Sequence, residues 1–162
     1  MGEDGARTGG TERSTGSARK RVLRIVAVQA ATVSAAAHLL WAWPRLADPT
    51  DPRPYLFVLA AAFTAVVAAA TLRADEYRRL YALGAGTLVA YLVGYVAWHG
   101  GTTTAALAAD PLAIVGKAAE VVGTVAFVAL YRLAPPTSVV VARQASDEPG
   151  RSESGPNESE NG

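Results

Sequence analysis

The stretch PLAIVGKAAEVVGTVAFVALYRL, from Pro111 to Leu133, decides the fold. Its only charged residues are Lys117, Glu120 and Arg132. In a helix that rises 1.5 Å per residue, about 20 apolar residues span the ~30 Å hydrocarbon core of a bilayer. A water-soluble helix of this length would carry a polar stripe along one face. The stretch therefore predicts a helix that crosses a membrane.

Three similar apolar segments precede this one. The four cover about 22–43, 55–73, 79–98 and 111–132, in a chain of 162 residues that is 51% hydrophobic. They predict an all-α fold of four transmembrane helices in an up-down-up-down bundle, within a domain at 19–133. The polar N-terminal tail, 1–18, and the acidic C-terminal tail, 134–162, hold too little apolar surface to order themselves. Both tails are predicted to be disordered.

The connections between the segments show clear stop and start signals. Four prolines between 43 and 54 exclude a continuous helix there. The short link at 73–79 makes the second and third helices antiparallel neighbours. Gly100 and Gly101 end the third helix, the stretch to Asp110 is predicted to be a loop, and Asp110 caps a helix that has Pro111 in its first position.

Basic residues near the segment ends predict the orientation. Two, Arg45 and Arg53, lie on the side of the first loop. Nine lie on the opposite side: Arg19, Lys20, Arg21, Arg24, Arg73, Arg78, Arg79, Arg132 and Arg143. The side rich in Lys and Arg faces the cytoplasm, so both termini are expected to be cytoplasmic, in a multi-pass protein of the cell membrane.

Small residues four apart would let the helix backbones approach closely. Glycines in the third helix are the stronger signal, because a glycine inside a helix costs ~1 kcal/mol relative to alanine. The expected contact residues are Ala27, Ala31 and Ala35, then Ala61, Ala65 and Ala69, then Gly86, Ala90 and Gly94, and finally Gly116, Ala119 and Gly123.

A rise of 1.5 Å per residue places several polar residues at a similar depth in the outer leaflet. This candidate polar pocket consists of His38, Tyr91, Tyr95, Lys117 and Glu120, whereas Gln29 lies deeper and separate. Lys117 and Glu120, three residues apart, share one helix face. Three interpretations stay open for the pair: an internal ion pair that fixes helix packing, a pocket that binds a small ligand or relays protons, or a contact with a partner subunit.

Composition excludes several classes of function. The chain has no cysteine, which excludes disulfides and thiolate chemistry, and its net charge of +1 gives no sign of a nucleic-acid partner. No hydrolase, zinc-protease or nucleotide-binding motif occurs, so neither an enzyme, nor a metal, nor a cofactor is expected. His38 and His99 differ in depth by about five residues, which disfavours a bis-histidine haem.

Short motifs in the apolar part resemble a family of small four-helix membrane proteins from salt-loving archaea. The resemblance covers about 22–133 and rests on His38-Leu39, the stretch from Phe57 to Phe63, Arg79-Leu80 with Gly84, the stretch from Tyr91 to Trp98, Lys117, and Leu130-Tyr131-Arg132. It implies the fold and a membrane location and no particular activity. An amide is common in that family where Glu120 stands, which implies a hydrogen-bonding role for this position.

Two functions follow from these observations. The first is a non-enzymatic structural or accessory component of the membrane. The alternative is a small carrier or ligand-binding protein with an outward-facing polar pocket. The expected partners are the lipid bilayer and either further copies of the chain or other membrane subunits.

Overall fold

The structure, a computed structural model, describes residues 8–73 and 77–135, with side chains from residue 16 onward. The helices are α1 (Thr8–Ala42), α2 (Arg53–Arg73), α3 (Arg78–His99), α4 (Thr103–Ala109) and α5 (Pro111–Leu133). Short 3-10 turns follow α1 and α3. Four of the helices, α1, α2, α3 and α5, are long and apolar enough to cross a membrane. The predicted all-α bundle is confirmed.

Contacts between the long helices define their directions. His38, late in α1, contacts Phe57, early in α2. Gly116 of α5 lies beside Ala37 of α1, and Gly123, further along α5, lies beside Ala30, earlier in α1. Arg24, near the middle of α1, donates a hydrogen bond to Tyr81, early in α3, and His38 contacts Tyr91, later in α3. The helix α1 is therefore antiparallel to α2 and α5 and parallel to α3, which is the up-down-up-down order. Around the bundle, α1 packs against α2 and α5, and α3 packs against α5 and α2.

The helices with the most extensive contact are α1 and α5. A methyl group on Gly116 would lie 3.2 Å from Ala37 Cβ, and one on Gly123 would lie 3.1 Å from Ala30 Cβ. Between these two points lies buried Glu120. The two glycines are seven residues apart and therefore return to the same face of α5, where the missing side chains let the backbones approach.

Two of the predicted small-residue stripes are wrong. In α2, only Ala61 of the predicted stripe is buried, whereas Ala65 and Ala69 are exposed and Thr64 and Thr71 share the buried face with Ala61. The threonines fit there because each hydroxyl donates to a carbonyl oxygen one turn earlier in its own helix. Hydroxyl groups satisfied in this way can face the core without a partner on another helix.

In α3 the predicted stripe fails because larger side chains set which face turns inward. Gly86 and Gly94 have nothing within 4 Å of a Cβ position, whereas a methyl group on Gly84 would lie 2.8 Å from the Phe127 ring. The buried residues of α3 are Tyr81, Gly84 and Leu88. Their spacing of three and four puts them on one face of α3, and on that face Gly84 lies against the ring of Phe127.

Two segments predicted to lack regular structure are helical. The helix α1 begins at Thr8, so residues 8–18 are helix rather than disordered, and α4 with its 3-10 turn occupies most of the predicted loop 99–110. Elongating an existing helix adds one hydrogen bond for each residue fixed, so composition alone places a helix start poorly. Residues 1–7 and 136–162 of the predicted tails lie outside the described residues.

The helix starts and stops of the third connection are as predicted. Gly100 has φ +53°, a conformation that glycine adopts readily, and it follows the end of α3 at His99. Asp110 accepts a 2.9 Å hydrogen bond from the backbone N–H of Leu112, with Pro111 in the first helical position.

The bundle exposes large apolar side chains along its length. Leu59 is 65% exposed, Val66 65% and Val125 64%, and each lies within a long helix. We call the end that carries Trp41, Trp43 and Trp98 the Trp end, and the end that carries Arg24, Arg73 and Arg78 the Arg end. Aromatic residues at one end and an apolar belt between the ends are typical of a membrane-spanning bundle.

Candidate functional site: a cavity at the Trp end

A partly open cavity of about 550 Å³ lies between the long helices at the Trp end. It extends from Arg53 and Asp110 near the helix ends to Ala60 and Glu120 further inside, and α4 contributes Ala106 to its wall. All five residues of the candidate polar pocket line it: His38, Tyr91, Tyr95, Lys117 and Glu120. The structure thus brings together side chains from α1, α3 and α5 that are far apart in the sequence.

The floor of the cavity carries an ion pair. Lys117 Nζ lies 2.6 Å from Glu120 Oε2 and 2.8 Å from Oε1. It also donates a hydrogen bond of 3.3 Å to the backbone carbonyl of Tyr91 in α3. Ser34 of α1 donates to Glu120 Oε1 at 3.3 Å. The pair therefore connects three helices at a single point.

The ion pair has little spare hydrogen-bonding capacity. An ammonium group has three N–H donors, and the two carboxylate oxygens and the Tyr91 carbonyl can take all three. The Glu120 side chain is fully buried, whereas the Lys117 side chain is 17% exposed. A buried pair tolerates its loss of hydration only when such hydrogen bonds surround it. The remaining face of the Lys117 ammonium lies 5.0 Å from the centre of the Tyr95 ring.

Aromatic rings form the walls of the cavity. The His38 ring lies 4.7 Å from the Tyr91 ring and 5.2 Å from Phe57. Phe57 stacks on Trp41 at 4.3 Å, with the two ring planes 25° apart. Ring faces at these distances contribute about 0.5–1.5 kcal/mol each beyond their buried area. They leave flat, largely apolar surfaces around the open space.

Both histidines of the chain line the cavity and are held in the same way. His38 Nδ1 lies 2.8 Å from the carbonyl oxygen of Ser34, and His99 Nδ1 lies 3.0 Å from that of Tyr95. A carbonyl oxygen only accepts, so each Nδ1 carries the proton and donates. In the neutral ring, Nε2 is then an acceptor with a free lone pair. The cavity wall therefore offers two imidazole acceptors.

Tyr91 positions α3 against α2. Its hydroxyl donates a 2.9 Å hydrogen bond to the carbonyl oxygen of Ala60 and lies 2.9 Å from Thr64 Oγ1. Its own backbone carbonyl receives the Lys117 ammonium. A single residue thus links α2, α3 and α5 and fixes the width of the cavity.

Arg53 at the entrance is paired with Asp51. Arg53 Nε lies 2.7 Å from Asp51 Oδ1, and its guanidinium lies 5.8 Å from the Trp98 ring centre. Hydrogen bonds from the Arg53 side chain and backbone hold the pKa of the Asp51 carboxyl below its ordinary value. The lining carries two positive residues, Arg53 and Lys117, and two negative ones, Asp110 and Glu120. Their formal charges cancel.

Ser34 makes contacts that the sequence did not indicate. It is fully buried, and it both accepts from His38 through its carbonyl and donates to Glu120 through its hydroxyl. Its position one helical turn before His38 was the available signal, because residues four apart share a face. Phe57 and Trp41 were missed because an aromatic residue in an apolar segment does not by itself indicate a cavity.

Comparisons with known proteins give no further identification. Compared with protein-family models, with curated proteins and with solved structures, the chain matches none. The resemblance to the archaeal four-helix family stays a prediction. Within residues 8–73 and 77–135, no three His, Asp or Glu side chains are grouped so that they could hold a metal ion.

Proposed function

We propose that this is a multi-pass protein of the cell membrane whose cavity reversibly binds a small, flat, neutral molecule carrying an N–H or O–H donor. Both termini are cytoplasmic in this proposal, so the Trp end faces outward and the ligand enters from the outer leaflet or from the outside. The role is binding rather than catalysis. The observation that carries the proposal is the aromatic-walled cavity of about 550 Å³ with its ion pair at the floor.

The lining indicates the shape and charge of the ligand. Most of it is aromatic or aliphatic, which favours a flat apolar body, and ligand cavities commonly measure about 300–1,000 Å³. Arg53 and Lys117 are balanced by Asp110 and Glu120. A charged ligand would add a charge without a counter-charge to this largely apolar surrounding, at a high electrostatic cost.

The free hydrogen-bonding groups indicate the ligand's polarity. Lys117 is engaged by Glu120 and by the Tyr91 carbonyl, so it has no unused donor for a ligand. The unengaged imidazole nitrogens of His38 and His99 are acceptors. A ligand that donates a hydrogen bond to one of them satisfies both partners, whereas one that only accepts leaves the imidazole lone pair unpaired.

Two probes of matched shape test this proposal. We use 2-naphthol, which has an O–H donor, and 2-methoxynaphthalene, which has the same ring system without it. Each is titrated into the purified protein in detergent, with the melting temperature and the quenching of tryptophan fluorescence as readouts. A ligand that binds only the folded protein stabilises it by about 2.7 kcal/mol at 100 times its dissociation constant.

We expect 2-naphthol to raise the melting temperature and 2-methoxynaphthalene to have a smaller effect. Replacing both His38 and His99 by Phe keeps the rings and removes both acceptors, and should abolish the difference between the probes while the protein stays folded. Equal responses to both probes in the unmodified protein would contradict the donor requirement. No response to either probe would contradict the binding role.

The buried ion pair favours a second candidate function, a structural or accessory component of the membrane. Glu120 is fully buried and bonded to two helices, as expected of a group that fixes helix packing. In that case neither probe binds, and removing the pair changes only the stability of the bundle.

A further inference from the structure

The side-chain amide of Gln29 has no hydrogen-bond partner among the described residues, although it lies well inside a helix long and apolar enough to span a membrane. It is exposed on the outside of α1. At 1.5 Å per residue, it lies about 7.5 Å along the helix from Arg24 and about 18 Å from Trp41. Its amide therefore faces the hydrocarbon region, where an unpaired polar group costs several kcal/mol.

Other polar side chains at comparable depth are satisfied. Threonine hydroxyls within the long helices donate to a carbonyl oxygen four residues earlier in the same helix. These residues are Thr32, Thr64, Thr71, Thr87 and Thr124. Ser34 donates to Glu120. The amide of Gln29 stands apart from this pattern, and water is not available to it within the bilayer.

Gln29 lies in the middle of a regular exposed stripe on α1. The stripe, which we call the α1 seam, consists of Val22, Ile25, Gln29, Thr32, Ala36 and Leu39, and every member is exposed. Its spacings of three and four residues repeat as do the contact positions of a left-handed helix pair. The small side chains of Thr32 and Ala36 allow another helix to approach closely. The opposite face of α1 is the one that packs in the bundle and lines the cavity.

We propose that the α1 seam is the interface of a homodimer, in which two parallel copies of α1 pack together and their Gln29 amides hydrogen-bond to each other. Two copies inserted in the same direction can be related by a two-fold axis along the membrane normal. Such an axis places each residue of the seam at the same depth as the equivalent residue of the other copy. An amide carries both a donor and an acceptor, so it pairs with itself.

A second copy is the partner that fits this surface best. A single polar residue at one contact position fixes the register of a helix pair, and symmetry then supplies its partner without any second sequence. The inference does not depend on the ligand proposed for the cavity, because His38 and Trp41 lie on the other side of α1. Dimer formation leaves the cavity free.

The first test measures association in lipid vesicles by energy transfer between labelled copies. Replacing Gln29 by Leu removes the amide and keeps an apolar residue that inserts readily. Hydrogen bonds between membrane helices contribute about 0.6–2 kcal/mol, so we expect association to weaken about 3- to 30-fold. Replacing Gln29 by Asn keeps the amide and should retain a larger part of the association than Leu does.

Steric variants give a matched control. Ala36→Leu adds bulk within the seam, and Ala62→Leu adds the same bulk on the exposed face of α2. We expect only Ala36→Leu to reduce association. Association that is unchanged in both Gln29→Leu and Ala36→Leu, or is reduced equally by Ala62→Leu, overturns the proposal.

Cysteine cross-linking locates the interface directly, since the chain has no native cysteine. Single variants Ile25→Cys and Ala36→Cys should form disulfide-linked dimers in native membranes under mild oxidation. The controls Val66→Cys on α2 and Val125→Cys on α5 are exposed to lipid and should stay monomeric. The assignment is overturned if the seam variants stay monomeric, or if either control variant cross-links more strongly than they do.

Discussion

Ser34 of α1 donates a hydrogen bond of 3.3 Å to Glu120 of α5, where both side chains are fully buried. The carboxylate thus receives a neutral donor from one helix and the Lys117 ammonium from its own. The same serine accepts from His38 through its carbonyl oxygen. The packing of α1 on α5 and the orientation of a cavity-lining imidazole therefore depend on one residue.

Replacing Glu120 by Gln should destabilise the bundle, because it leaves the Lys117 ammonium without its counter-charge. Breaking a buried pair costs ~3–5 kcal/mol, and Lys117 can extend toward the Trp end, so we expect a loss of about 2–4 kcal/mol. The measurement is the free energy of unfolding in mixed detergent micelles. Adding Lys117→Met should recover part of the loss, and a double variant no more stable than Glu120→Gln would argue against a coupled pair.

Gly123→Ala should destabilise the contact between α1 and α5. The added methyl group would lie 2.5 Å from Leu88 Cδ1 and 3.1 Å from Ala30 Cβ. Overpacking of this kind costs about 1–3 kcal/mol. The matched control is Gly86→Ala, where nothing lies within 4 Å of the new group, and it should be neutral or slightly stabilising. Equal melting temperatures for the two variants would contradict the close approach.

Gly84→Ala should disturb α3 through a single neighbour, the ring of Phe127. Three ring atoms lie 2.8–2.9 Å from the added methyl group. We expect a loss of about 1–3 kcal/mol from overpacking. In the Phe127→Leu background the ring is absent, so the further cost of Gly84→Ala should be smaller. A double-mutant cycle without such coupling would show that the ring moves aside freely.

Gly94→Leu should occupy the cavity without disturbing the fold. Gly94 lines the cavity, and nothing lies within 4 Å of its Cβ position. We expect an unchanged melting temperature and at least a tenfold loss of 2-naphthol binding. Gly86→Leu, on the same helix, adds the same side chain where there is also open space, away from the cavity lining. It should bind the probe normally, and a loss in both variants would place the binding elsewhere.

The Asp51–Arg53 contact gives a prediction for pH. Its stabilising contribution is fully present above the ordinary pKa of an aspartate and is lost as the pH falls through the lowered pKa of Asp51 in the folded protein. The melting temperature of the Asp51→Asn variant should therefore lie slightly below that of the unmodified protein at pH 7. The two should converge at strongly acidic pH. A difference that persists there would assign the effect to something other than this charge.

Much of the fold could be predicted from where the apolar residues gather. Long segments with few charges have one stable arrangement in lipid, so the number and order of the four membrane-spanning helices follow from the sequence, whereas the short helix α4 does not. The rotation of each helix about its axis does not. Ala65 and Gly86 satisfy the small-residue spacing as well as Ala61 and Gly84 do, and only the packing of Leu88 and Phe127 distinguishes them.

The sequence predicted the level of the candidate site residues along the helices, but not the direction in which each side chain points. Counting residues from the helix ends brought His38, Tyr91 and Lys117 to one level, and the structure places all three around one cavity. Which neighbours each side chain meets depends on helix rotation and tilt. The contacts of Ser34 and Phe57 could therefore be identified only from the structure.

The length of α1 has a mechanical consequence. Between Thr8 and Arg24 the helix runs about 24 Å past the Arg end, without a proline to bend it. The helix is unbroken from this stalk to Ser34 and His38. A rotation of the stalk about its axis would therefore also rotate the segment of α1 that lines the partly open cavity.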